Sequence, residues 1–118
     1  MHITNLGTFK QTLLAINNEV NNEVFGRGLQ TQKVFVNEDV ILILSINHRV
    51  PALATLDNFG VPTREIDWVL IDAHKKRLRE LVEERMGLPV KSIFKDYDPQ
   101  TQTSVNIIVL EEQPLLKD

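Results

Sequence analysis

Val40-Ile41-Leu42-Ile43-Leu44-Ser45-Ile46 is the longest apolar run in the chain, and it narrows the choice of fold more than any other stretch. Its Ile and Val side chains branch at Cβ, which suits a pleated strand better than a helix. Seven residues is also strand length and too short for a buried helix. Successive side chains of a strand point to opposite faces. Val40, Leu42, Leu44 and Ile46 therefore share one face, and Ile41, Ile43 and Ser45 the other. Both faces are apolar and both need cover, so the run predicts a central strand.

The flanking segments supply that cover. Leu6, Phe9, Leu13, Ile16, Val20 and Val24 recur every three or four residues, which predicts an amphipathic helix from Thr4 to Phe25. Thr4 or Asn5 caps its start and Gly26 ends it. Asn17, Asn18, Asn21 and Asn22 are poor helix formers and are assigned to its outer face. Thr31 to Val36 reads as a strand joined to the apolar run through Asn37-Glu38-Asp39, with Asn37 or Asp39 in the left-handed conformation. Residues 47–62 form an irregular connection in which Val50, Leu53 and Leu56 permit a short helical turn. A second helix follows from the cap Thr63 to Met86, before Gly87, with Leu70, Ile71, His74, Leu78, Leu81, Val82 and Arg85 on one face. Val90 to Tyr97 and Thr103 to Leu110 make a second hairpin across an Asp98-Pro99 turn. Residues 1–3 and 111–118 are expected to fray unless Leu115-Leu116 docks.

The order α-β-β-α-β-β predicts an α+β fold: one domain over residues 1–118, with a four-stranded antiparallel sheet and two helices packed on one face. The opposite face is then bare, with Ile41, Ile43, Ile108 and Leu110 as its expected occupants. A monomer rarely tolerates such a patch, which predicts a homodimer. The competing arrangement places one helix on each face.

Composition bounds the function. A formal net charge of −3 argues against a nucleic-acid binder. The absence of cysteine excludes disulfides, thiolate metal sites and cysteine nucleophiles. Met1-His2-Ile3-Thr4-Asn5 lacks the basic region and apolar core of a signal peptide, and no apolar run is long enough to insert in a membrane. A cytoplasmic protein is expected. Glu38 and Asp39 in a turn fall far short of a calcium loop. No cofactor is expected. A hydrolase built on His48 or His74 with Asp72 or Glu65 lacks a visible nucleophile, base and orienting group.

The cations Arg27, Arg49, Lys75 and Lys76, with His48 beside Arg49, are the candidate contacts for an anion or a partner. Arg27 lies in a Gly-Arg-Gly turn that brings backbone amides and a guanidinium together. His74 falls within the apolar stripe and is expected to be packed.

Gly26-Arg27-Gly28, Val34-Phe35-Val36 and Asp39-Val40 leading into the apolar strand resemble the start of a bacterial family. Val82-Glu83 followed by Gly87 and Val90, and the close from Val105 to Leu110 with Glu111, are similar to its later motifs. That family is the MpsC-like domain, named for the third component of a sodium-translocating, membrane-potential-generating system. The resemblance runs from about Phe9 to Glu111 and departs at Asn47 to Phe59 and at Leu88, where family members usually carry Arg. It implies a small cytoplasmic accessory domain linked to ion or inorganic-carbon uptake, with no known catalytic residues. The function expected is therefore non-enzymatic: an accessory or regulatory domain that binds a protein partner, a membrane-associated one included. The alternative is a small-anion or nucleic-acid binding module.

Overall fold

The computed structural model describes residues 3–118; Met1 and His2, the start of the segment expected to fray, lie outside the described residues. A short strand β1 (Thr4–Asn5) leads into helix α1 (Leu6–Phe25). Asn5 caps α1 by accepting a hydrogen bond from the Thr8 amide at 3.1 Å, and Gly26 closes it in the left-handed region at φ 75°. Strands β2 (Thr31–Asn37) and β3 (Val40–Ile46) form the first hairpin. The left-handed residue of its turn is Glu38, at φ 55°, rather than the expected Asn37 or Asp39. Helix α2 (Pro51–Asn58) occupies the connection read as irregular, and α3 (Arg64–Met86) follows. Strands β4 (Val90–Asp98) and β5 (Thr103–Leu110) form the second hairpin, and β6 (Leu116–Lys117) ends the chain.

The fold is α+β, with a four-stranded antiparallel sheet in the order β2-β3-β5-β4. Two features extend the sequence expectation: helix α2, where Val50, Leu53 and Leu56 permitted a short helical turn, and a two-stranded parallel sheet of β1 and β6. The second shows that the tail docks. Thr4 donates its amide to the Leu115 carbonyl at 2.9 Å, Leu116 pairs with Thr4, and Pro114 is buried.

The apolar run is a central strand, but its faces are used the other way round from the dimer expectation. Ile41, Ile43, Ile108 and Leu110 are buried in one core with Phe9, Leu13, Ile16 and Val20 of α1 and Leu78, Leu81 and Val82 of α3. They meet the helices of their own chain and form no dimer face. The residues left open are those alternating with them: Val40, Leu42 and Leu44 on β3, Val105, Ile107 and Val109 on β5, Phe35 on β2 and Phe94 on β4.

The asparagines of α1 also depart from expectation. Asn17 and Asn21 are fully buried, because they stand four residues apart in line with Leu13 and share its buried stripe. Arg79 and Glu83, opposite charges four apart on α3, hold the start of β4: Arg79 Nη2 donates to the carbonyls of Val90 and Lys91 at 2.7 and 2.9 Å, and Glu83 accepts from the Val90 amide at 3.0 Å.

Candidate functional site

Three arrangements of side chains stand out, and each is set by the register of the sheet. The first is a polar layer inside the core. Cross-strand pairing aligns Gln32, Ser45, Ser104 and Tyr97 in one row, and Val34, Ile43, Asn106 and Lys95 in the next. Asn17 of α1 reaches down to them, donating to Gln32 Oε1 at 2.9 Å and accepting from Asn106 at 3.4 Å and from His74 Nε2 at 3.0 Å. In the neutral ring Nε2 is then the protonated nitrogen, and the Nδ1 lone pair has no partner among the described residues, nor have Ser45 Oγ and Asn106 Oδ1. Burial, with the Lys95 charge second, pushes the His74 imidazole down to about 2. Burial likewise lowers the Lys95 ammonium to about 7; its Nζ donates to Ser104 Oγ at 2.8 Å and stands 5.9 Å from the Phe25 ring centre. Ser104 beside a lysine of lowered basicity has the pairing of a nucleophile and base. Its 1% exposure under the helices keeps substrate from it.

The second arrangement is a knot at the end of the sheet. Arg49 donates from Nε to Asp57 at 2.9 Å, from Nη1 and Nη2 to Asp67 at 2.5 and 3.0 Å, and from Nη2 to the Thr63 hydroxyl at 2.9 Å. The Thr63 hydroxyl donates on to Asp57, so it is taken up here and makes no side-chain cap on α3. These bonds, that to Asp57 first, hold the guanidinium above its ordinary pKa, and the Arg49 hydrogen bond lowers Asp57. Gln102 Oε1 accepts from the Arg49 amide at 3.1 Å and from His48 Nδ1 at 2.9 Å, and Arg27 Nη1 reaches the Arg49 carbonyl at 3.5 Å. A cavity of about 20 Å³ beside the knot holds one water at most.

The structure brings Arg27, His48 and Arg49 near one another but spends Arg49 on two carboxylates, so it is not a free cation for an anion. Lys75 pairs with Asp72 at 3.9 Å on α3, and Lys76 is exposed there. Asn17, Asn21, Lys95 and Asn106 were not picked out as site residues. Asn17 and Asn21 had a signal, their i, i+4 place on the apolar stripe; Lys95 had none, since its burial depends on pairing with a strand distant in sequence. The knot fastens α2, which buries Leu53 alone. Arg49→Lys keeps the charge and loses the planar fork. Hydrogen exchange in α2 is expected to quicken tenfold or more with β3 and β5 unchanged; unaltered exchange in α2 shows that the knot does not hold it.

The third arrangement is the open sheet face, where large apolar side chains meet solvent: Phe35 is 55% exposed and Phe94 58%. Trp68 and Val69 form a second exposed apolar group on α3, near Phe59 and Val61 in sequence. Among the described residues no helix is long and apolar enough to cross a membrane, and no group of three or more His, Cys, Asp or Glu is placed to hold a metal ion.

No curated protein and no solved structure matches the chain. One protein family does, over residues 7–112 and hence nearly all of the chain: the protein belongs to the family described as Na+-translocating membrane potential-generating system (MpsC).

Proposed function

We propose that the chain is a non-catalytic accessory or regulatory domain, on the cytoplasmic side of a Na+-translocating system, and that it acts by binding protein. The observation that carries this reading is the open sheet face. A monomer's largest exposed apolar patch is typically 300–600 Å², and such patches commonly mark interaction sites. Here the patch is centred on strands β3 and β5, where its side chains are exposed or half-exposed, and it is built on hydrogen-bonded backbone. Family membership supplies the system, and the face supplies the means of joining it.

The test is complementation. In cells lacking the chain, a potential-sensitive dye reports the membrane potential developed in sodium medium. The wild-type chain is expected to restore it. The double variant Phe35→Asp, Phe94→Asp, altered only at exposed positions and checked for folding by circular dichroism, is expected to fail. Full restoration by that variant overturns the reading.

A further inference from the structure

We infer that the open sheet face binds a second copy of this chain, face to face, about a two-fold axis parallel to the strands. The inference rests on the reading of this face as a protein-binding surface and names its occupant.

On the open face, cross-strand pairing lines up Lys33, Leu44, Val105 and Asp96 in one row, and Phe35, Leu42, Ile107 and Phe94 in the next. A third row is Asn37, Val40, Val109 and Ser92. Each row is apolar at its centre. The first ends in a cation on one edge strand and an anion on the other.

A two-fold axis along the strands, between β3 and β5, keeps each row at its own level and exchanges left for right. It lays β2 of one copy over β4 of the other. Lys33 then faces the second copy's Asp96, and the contact occurs twice. Phe35 faces the second copy's Phe94, also twice, and Leu42 faces Ile107. An axis across the strands behaves differently. Centred on the phenylalanine row, it sets Lys33 against Asn37 and Asp96 against Ser92; centred on the charged row, it sets Lys33 on Lys33 and Asp96 on Asp96. Of these axes only the strand-parallel one sets Lys33 against an opposite charge, although in the row beyond, Thr31, Ile46, Thr103 and Asp98, it sets Asp98 against Thr31; it also suits the aligned packing of two sheets about 10 Å apart.

The area agrees. Phe35 and Phe94 are more than half exposed, Val40 and Leu44 each 37%, and Leu42, Val105, Ile107 and Val109 partly so. With about 200 Å² for a whole phenylalanine, these fractions give on the order of 500 Å² of apolar surface. A standard interface buries about 800 Å² per partner, slightly more than half of it apolar. The face thus supplies the apolar share of one side of a standard dimer.

Sedimentation equilibrium across roughly 1–200 μM tests this on the full chain. The wild type is expected to dimerise. Lys33→Glu alone and Asp96→Lys alone each turn both cross-pairs repulsive, and each is expected to raise the dimer Kd about tenfold or more. An equimolar mixture of the two variants restores both pairs in a heterodimer, and is expected to return to near the wild-type Kd. Both positions are exposed, and matching melting curves confirm that the variants fold. A wild type that stays monomeric overturns the second copy as occupant while leaving the protein-binding reading to its own test. A dimer indifferent to both swaps, or a mixture no tighter than the single variants, overturns the axis.

Discussion

Ile43→Lys is expected to unfold the chain, and Leu44→Lys, one residue along the same strand, to leave it folded. The two positions share strand β3 and differ only in face. Ile43 is wholly buried, whereas Leu44 is 37% exposed. Ile43 pairs with Val34 on one side and Asn106 on the other, under the core residues of α1 and α3. An ammonium placed there has neither water nor a carboxylate within reach, a cost of several kcal/mol against a total stability of about 5–15 kcal/mol. The same row ends in Lys95, two strands away on the edge strand β4, where Nζ finds the Ser104 hydroxyl. A lysine is tolerated at the margin of this row because it keeps a partner and some solvent; at the centre it has neither. Circular dichroism separates the outcomes. A cooperative Ile43→Lys melt within a few degrees of wild type means that the faces have been assigned the wrong way round. If Leu44→Lys weakens self-association while keeping its melting curve, the interface lies on the open side.

That contrast also marks what the sequence can convey. Alternation within Val40–Ile46 divides its residues correctly into two faces, because the strand period is local. Which face the helices cover is not local: both faces read as apolar, and the choice falls to side chains far along the chain. The decisive residues are polar. Asn17 of α1 meets Gln32 and Asn106 on the sheet and His74 of α3, on the same side as the buried Ile41, Ile43, Ile108 and Leu110. Asparagine is a poor helix former, so Asn17 and Asn21 read as outer-face residues, although their spacing placed them on the stripe. The stripe residues Phe9, Leu13, Ile16 and Val20 are buried as their period predicted. The knot was legible only in part. His48 and Arg49 stand out in a long loop, but Asp57, Thr63 and Asp67 join them only once α2 has folded back.

Stability is expected to fall by about 2–3 kcal/mol between pH 7 and pH 4.5, through His74. In the unfolded chain this histidine titrates near 6.5; in the fold, burial and then the Lys95 charge push it down to about 2. Between those values the unfolded state binds a proton that the native state refuses, so stability rises with pH through the window and is lost as pH falls. Each unit below 6.5 costs about 1.4 kcal/mol. The native carboxylates contribute in a lower window: Arg85 lowers Glu19 and Arg49 lowers Asp57, so their share is lost only as pH drops through the ordinary carboxylate range and beneath it. Lys95 gives a slope of the same sign on the alkaline side. Its pKa falls from 10.5 unfolded to about 7 in the fold, so stability rises again above pH 7. Tyr97, raised by burial, opposes that rise once the unfolded phenol ionises near 10. Urea unfolding at half-unit pH steps resolves the two slopes. His74→Gln keeps an N–H for Asn17 and removes the titrating ring, so its curve is expected to be flat from pH 6.5 to 4.5; Lys95→Met is expected to flatten the alkaline side alone. A wild-type curve already flat between pH 7 and 4.5 shows that the imidazole accepts its proton in place, and that the interior between α1 and α3 is wet.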